Sequence, residues 1–389
     1  MKPHLVAEEE AVASVARKFA TRTLRARARE LDEREEFDRE AFREAGELGL
    51  CGLMIPEELG GSGVRAVVAG TVLEELGAGS PAFALSLGAD FLLFGHNVAR
   101  EGSADLARKY VPDIAAGRRI GAMALTEAEH GSDAAGITTT AAEDPGGGYR
   151  LDGSKNFVTN GPIADRVLVY ARTPSTTEAR AEVAGFVVER DFPGFETGRP
   201  LKKLGNRASP TGELLLRQCP VPAGNRLAPP GKGIPAMMRG LDIERILLPA
   251  VYLGALRWAL EIAREYAATR RQFGQALSEF QLVQAKLADM ATGFEAAKTY
   301  LRSVAAEWDR DPGSRGVRGS AAAAKIVVGR AVEAGTREAI QILGGTGYMR
   351  EATVEMLYRD ARLTAIGAGT EEIDQLVVFR ELAERGDFL

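Results

Sequence analysis

The run Arg166-Val167-Leu168-Val169-Tyr170, followed by Gly185-Phe186-Val187-Val188 and Glu213-Leu214-Leu215-Leu216, decides the architecture of this 389-residue chain. Each run is short, apolar or β-branched, and bounded by turn-forming residues, which predicts strands. Tyr149-Arg150-Leu151 and Asn156-Phe157-Val158-Thr159 read as two more strands, parted by a turn at Asp152-Gly153, and Pro145-Gly146-Gly147-Gly148 marks another turn. The spacing suits a small barrel or sandwich over 119–230.

On either side the pattern is helical. Within 1–118, apolar positions such as Val12, Val15, Ala16 and Phe19 recur at helical spacing between Glu8 and Ala45. The pattern breaks at Pro56-Glu57-Glu58-Leu59-Gly60-Gly61 and resumes over Val67 to Glu75 and Phe83 to Arg100. Within 231–389, long helices are predicted over Ala236 to Thr269, Phe280 to Asp309 and Ser320 to Leu343, with a last one from Thr370 to Arg385 and an exposed loop at Asp311 to Gly316. The chain is therefore an α+β multi-domain protein in the order helical, β, helical, an order that fixes no function.

Composition narrows the classes. A net charge of -5 with no basic tract gives no support to nucleic-acid binding. The local cluster Arg22 to Arg29 is followed at once by Glu30, Asp32 and Glu33 and reads as a solvated helix face. Cys51 and Cys219 form no disulfide framework, which fits a reducing cytoplasm. Acidic Glu8, Glu9 and Glu10 near the N-terminus leave no pattern for a signal peptide, and the apolar run near Ile246 to Leu256 is too short for a membrane span. His4, His96 and His130 lack metal-ligand spacing, so no metal is expected.

Three motif groups carry chemistry. Leu125-Thr126-Glu127-Ala128-Glu129-His130-Gly131-Ser132-Asp133 ends in a Gly-Ser-Asp turn whose backbone N–H groups suit an anion. Arg270, in Tyr266-Ala267-Ala268-Thr269-Arg270-Arg271-Gln272-Phe273-Gly274, offers a guanidinium that pairs with pyrophosphate oxygens. The glycines of Gln341-Ile342-Leu343-Gly344-Gly345-Thr346-Gly347-Tyr348 are no dinucleotide fingerprint, because there is no GxGxxG and a helix precedes them. Each alone reads as a polar turn or a solvated helix end.

Together and in this order, with Lys155 to Gly161, Leu204 to Glu213, Tyr358-Arg359-Asp360-Ala361-Arg362 and Ile366-Gly367-Ala368-Gly369-Thr370-Glu371-Glu372-Ile373, they resemble the acyl-CoA dehydrogenases over roughly residues 8 to 380. The resemblance implies an N-terminal helical domain, a middle β-barrel domain and a C-terminal four-helix bundle. It implies FAD, with Leu125 and Thr126 lining the isoalloxazine, Ser132 at the pyrophosphate, Phe157 flanking the ring and Thr159 near flavin N5. Arg270, Phe273 and Gln281 would reach FAD held by a neighbouring subunit of a homotetramer or dimer, Gln341 and Gly345 the adenosine half, and Thr370 and Glu372 a further contact. Where the family has Pro-Gly-Ala this chain has Ala128-Glu129-His130, which leaves both an acyl-CoA and an acyl carrier protein thioester open as substrate. Electron-transfer flavoprotein is the implied acceptor.

The base has moved. The family's usual glutamate position is Ala368, and Gly240-Leu241-Asp242-Ile243-Glu244-Arg245 places Glu244 where the isovaleryl-type branch keeps its base. The resemblance then makes Glu244 the group that takes the α-proton and Ala368 the donor of a backbone N–H to the thioester carbonyl, with Asp242, Arg245 and Gly367 shaping the substrate site. Gly367 and Ala368 open one wall, which favours a short or branched acyl group. Pro249 suggests that Asp242 to Arg245 lies near a helix start, where the helix dipole would favour an ionised Glu244. Two other readings stand beside this one: a flavin monooxygenase or oxidase on the same fold, and a non-catalytic acyl-carrier-binding homologue.

Overall fold

The computed structural model describes residues 7–174 and 182–385; His4 lies outside them. Amphipathic spacing builds the N-terminal helices α1 (Ala7–Phe19), α2 (Arg25–Arg34), α3 (Arg39–Glu47), α4 (Ala66–Gly77), α5 (Pro81–Gly88), α6 (Asn97–Glu101) and α7 (Ala104–Ala115). Two of these junctions, Ala20–Leu24 and Ala89–His96, are π-helical. The helical spacing read between Glu8 and Ala45 is broken where Glu35 turns left-handed (φ 56°), and Asp38 caps α3 by accepting from the Ala41 N–H. The arginines of α2 and its approach are not a free solvated face: Arg25 bonds the Ala78 carbonyl and Glu261, and Arg27 pairs with Asp38.

Strands β1 (Gly121–Ala124), β2 (Thr140–Glu143), β3 (Tyr149–Thr159), β4 (Arg166–Thr173), β5 (Glu182–Glu189), β6 (Phe195–Thr197) and β7 (Thr211–Val221) form one sheet in the order β1-β4-β2-β3-β7-β6, with β5 on the other edge of β4. Strand alternation divides β4 between two cores. Val167, Val169 and Ala171 point into the core of the β domain, while Leu168 and Tyr170 pack against the helical core. Burial on both faces explains the unbroken apolar run in the sequence. The turn expected at Asp152-Gly153 is instead a bulge inside β3, where Gly153 (φ 147°) passes so close to Thr139 that a Cβ would lie 2.6 Å from its Oγ1.

The C-terminal bundle is α8 (Gly233–Thr269), α9 (Gln281–Arg310), α10 (Arg315–Leu343) and α12 (Glu371–Arg385), with α11 (Thr353–Ala361) beside it and a small hairpin, β8 (Arg271–Gln272) and β9 (Gln275–Ala276), after α8. The helix carrying Glu244 starts eleven residues earlier, at Gly233, so Glu244 and Pro249 lie inside it and not in a first turn. Dipole stabilisation of an ionised Glu244 is thereby lost, since it fades beyond the first turn. By length and composition Pro81–Glu101 and Gly233–Thr269 are each apolar enough to cross a membrane, yet 72% and 78% of their apolar windows are buried in the protein, as in core helices.

Candidate active site

The site is assembled from α8, the turn between α11 and α12, and the end of β1. Leu248, one turn beyond Glu244, meets Gly367 so closely that a Cβ there would lie 3.0 Å from Leu248 Cδ2. Next in the turn, Ala368 is left-handed (φ 58°), as is Gly369 (φ 105°), and Arg245 lies 3.5 Å from where a Cβ on Gly369 would sit. The two segments singled out by sequence, far apart along the chain, thus pack against each other.

Glu244 has no hydrogen-bond or ion-pair partner among the described residues and keeps partial access to solvent. Desolvation raises its carboxyl to about 7, with Arg245 and Lys325 opposing and Asp374 adding to the rise. Arg245 does not neutralise it. Its guanidinium bonds Asp242 at 3.0 Å and lies 3.0 Å from Asp374, in a buried group that also contains Lys325. Asp242 and Arg245, expected at the substrate, are therefore turned toward this group, with Arg318 holding the other oxygen of Asp242 at 3.1 Å.

The β1 exit and β3 lie side by side. The Asn156 N–H bonds the Thr126 carbonyl (2.8 Å), and Lys155 donates to the Leu125 carbonyl (3.0 Å) and to Glu127 (2.7 Å). Burial pushes Glu127 up, but Lys155, Thr139 and Thr138 together outweigh it and hold the carboxyl at about 2; burial brings Lys155 down to about 8 against the pull of Glu127. Sequence reasoning missed this pair, although Lys155 and Glu127 both stood inside quoted motifs. It fixes Leu125 and Thr126 against the strand that presents Phe157 and Thr159. Phe157 is 66% exposed on a left-handed bulge (φ 57°), and the buried Asn156 Oδ1 lacks a partner. An uncovered aromatic ring beside an unanswered polar atom fits a planar, hydrogen-bonding ring such as isoalloxazine. Ser132 lies exposed on the following turn. This cluster approaches Glu244 through Asn97, which touches Met123 on β1 (3.9 Å) and would block any side chain at Gly240.

The remaining residues form a separate group at the far end of α8. Arg270 and Gln281 are exposed, and Phe273 is 95% exposed at the hairpin tip, edge-on to Phe280. Tyr266 reaches Thr346 (3.4 Å), placing exposed Gln341 and Gly345 beside them. From Glu244 to Arg270 is 26 residues along α8, about 39 Å in a straight helix, which is longer than an extended FAD. The structure does not bring this group to the cofactor pocket of the same chain. Thr370 is half-buried and Glu372 exposed where α12 begins.

Comparison with known proteins agrees with the architecture. Residues 6–118, 122–219 and 231–383 match the family models for the acyl-CoA dehydrogenase N-terminal, middle and C-terminal domains. The chain is 38% identical over 367 residues to a mitochondrial isovaleryl-CoA dehydrogenase of Arabidopsis thaliana, covering 94% of this chain and 88% of that one. Butyryl-CoA dehydrogenase of Megasphaera elsdenii superposes with a TM-score of 0.94 at 33% identity, covering 98% of this chain and all of that one. The prolyl acyl carrier protein oxidase AnaB superposes with a TM-score of 0.92 at 30% identity over 97% of this chain and 100% of its own.

Proposed function

The chain belongs to the acyl-CoA dehydrogenase family, and from that premise we propose that Glu244 is its catalytic base. The family membership makes the protein an FAD-dependent oxidoreductase that dehydrogenates an acyl thioester to the enoyl thioester. FAD, once bound, supplies the acceptor for the β-hydride. Everything else in the reaction falls to side chains and backbone. Glu244 takes the α-proton, for which a carboxyl at about 7 is well matched near neutral pH. Ala368, which has no acid–base group, contributes its N–H to the thioester oxygen as negative charge develops there. Leu125, Thr126, Phe157, Thr159 and Ser132 hold the cofactor on one side. The observation that carries the reading is the desolvated Glu244 carboxyl, without a partner among the described residues, one helical turn before Leu248, which packs on Gly367 of the Gly367-Ala368-Gly369 turn.

The finer assignments rest on the same geometry. Arg270, Phe273, Gln281, Gln341 and Gly345 serve the FAD of a second copy, which requires a homotetramer or dimer; their distance from Glu244 and the exposure of Phe273 support this. A short or branched acyl group suits the side-chain-poor turn at Gly367 and Ala368, and the isovaleryl-CoA relative is in keeping with it. Electron-transfer flavoprotein takes the electrons, and the domain limits are 1–118, 119–230 and 231–389. A cytoplasmic location fits the two free, buried cysteines. An acyl carrier protein thioester is the second substrate reading, favoured by the exposed Glu129 beside Ser132 and by the likeness to AnaB. The deciding experiment is anaerobic bleaching of the bound flavin by a panel of acyl thioesters on coenzyme A and on carrier protein. Bleaching removes the non-catalytic reading, and slow reoxidation in air removes the oxidase.

A further inference from the structure

Lys325 is among the largest fully buried side chains of the molecule, and the reaction as described gives it no part. It stands on α10, with its side chain 1% exposed, and its ammonium makes two bonds of 2.5 Å: to the Gly369 carbonyl and to the carboxylate of Asp374 on α12. Asp374 is fully buried and is shared with Arg245 of α8 at 3.0 Å. The turn at 367–370 is thus tied from below to three helices of the bundle.

The turn needs such a tie. Ala368 holds a left-handed backbone (φ 58°), a conformation that costs a non-glycine residue about 1–2 kcal/mol. Asn and Asp offset that cost with a local side-chain hydrogen bond, and alanine has no such means. The flanking glycines leave the segment free to relax toward other conformations. Backbone bonds hold the two ends of the turn, Gly367 N–H to Leu363 and Asp374 N–H to Thr370, and the hydrogen bond to Gly369 opposes relaxation at its centre, because Gly369 is the next residue and its carbonyl orientation depends on the dihedrals of the turn. A buried lysine fixed by a carboxylate is a strong donor, whereas a solvated one would exchange its bond with water.

We propose that Lys325, clamped by Asp374, is a positioning residue that locks the Gly367-Ala368-Gly369 turn and so aims the Ala368 N–H at the substrate thioester oxygen. The proposal rests on the reading of Ala368 as the oxyanion donor. Lys325 acts through backbone geometry and touches neither substrate nor cofactor. It differs in this from Arg245, which shares Asp374 but is turned toward Asp242.

The test uses the FAD-loaded protein and a 3-ketoacyl thioester, whose acidic α-carbon can lose its proton without hydride transfer. Long-wavelength charge-transfer absorbance then reports the bound enolate, and its pH titration gives the enolate pKa on the enzyme. In Lys325→Met this pKa rises by about one pH unit or more, a tenfold loss of enolate stabilisation, and kcat falls while KM and flavin content hold. Lys325→Gln, which keeps a donor for Gly369, recovers much of the shift. Should Lys325→Met fail to fold, Asp374→Asn is measured in the same way: it loosens the clamp while keeping an acceptor, and its enolate pKa also rises. Wild-type enolate pKa and kcat in the folded Met variant, or equal losses in Met and Gln, overturn the proposal. A wild-type protein that binds the probe without forming enolate overturns the reading of Ala368, and the proposal falls with it.

Discussion

Replacing Glu244 by Gln should abolish most catalysis and stabilise the protein, a combination that separates a working base from a structural carboxylate. The structure sets both magnitudes. Glu244 is raised from 4.5 to about 7 by desolvation, so keeping it ionised in the fold costs on the order of 3 kcal/mol. A group whose folded pKa is raised contributes stability that is complete below its unfolded pKa and is lost as pH rises through the folded one. At pH 8 the wild type therefore carries this penalty and Glu244→Gln does not, whereas at pH 4 the two should be equally stable. Partial access to solvent makes ~3 kcal/mol an upper value. Flavin bleaching by substrate, followed anaerobically by stopped flow, should rise through pH 7 in the wild type and fall at least ~100-fold in the variant. Adding Ala368→Glu to that variant returns part of the rate, since the turn packs on the same helix. Wild-type bleaching by Glu244→Gln, or a wild-type rate flat across pH 6 to 8, would refute the reasoning.

Three further outcomes follow from other parts of the molecule. Lys155→Met leaves Glu127 buried without its cation, held only by Thr138 and Thr139, so the protein should lose up to about 3 kcal/mol in chemical denaturation, the low end for breaking a buried pair, and release FAD during gel filtration; unchanged stability would show the pair to be idle. Phe273→Ala removes a ring that is 95% exposed in one chain, so light scattering should report smaller particles with less FAD per chain, while an assembly of wild-type size and flavin content would place the contact elsewhere. Gly70→Ala in the interior of α4 meets only ordinary contacts, Leu247 Cδ2 at 3.6 Å and Ala250 Cβ at 3.9 Å, and should raise the unfolding free energy by up to about 1 kcal/mol; a lower Tm would mean that the space around Gly70, a small cavity between α4, α8 and α9 lined also by Leu247, Ala250 and Leu301, does not accept a methyl group.

The parts of the fold that were legible were those whose pattern is local. Val167 to Tyr170 read as a strand because both faces are apolar, and the bundle helices read from their length. Asp152-Gly153 misled because a glycine that starts a turn and a glycine that lets β3 pass Thr139 look alike in sequence. Asp242 to Arg245 was read as near a helix start because Pro249 resembles an N-terminal proline, although α8, expected from Ala236, begins at Gly233 and carries Pro249 internally. At the site, Glu244 and Ala368 were singled out through motif order. That Arg245 pairs with Asp374, and that Lys325 reaches Gly369, depends on contacts across 129 and 44 residues of chain, which no periodicity reports.

Helix α8 has the character of a ruler with a marked phase. On the proposed reading, its first half carries Glu244 for one catalytic pocket, and the segment after its end would deliver Arg270 and Phe273 toward that of a second copy. A single residue inserted between them would advance the far end by about 1.5 Å and rotate it by about 100°, so that the hairpin would face the wrong direction while each pocket stayed internally intact. Exact length between positions 244 and 270 is thus a constraint in its own right, separate from the identity of any side chain along it. The loop at 311–314, beyond α9, carries no comparable constraint and is where changes in length would be absorbed.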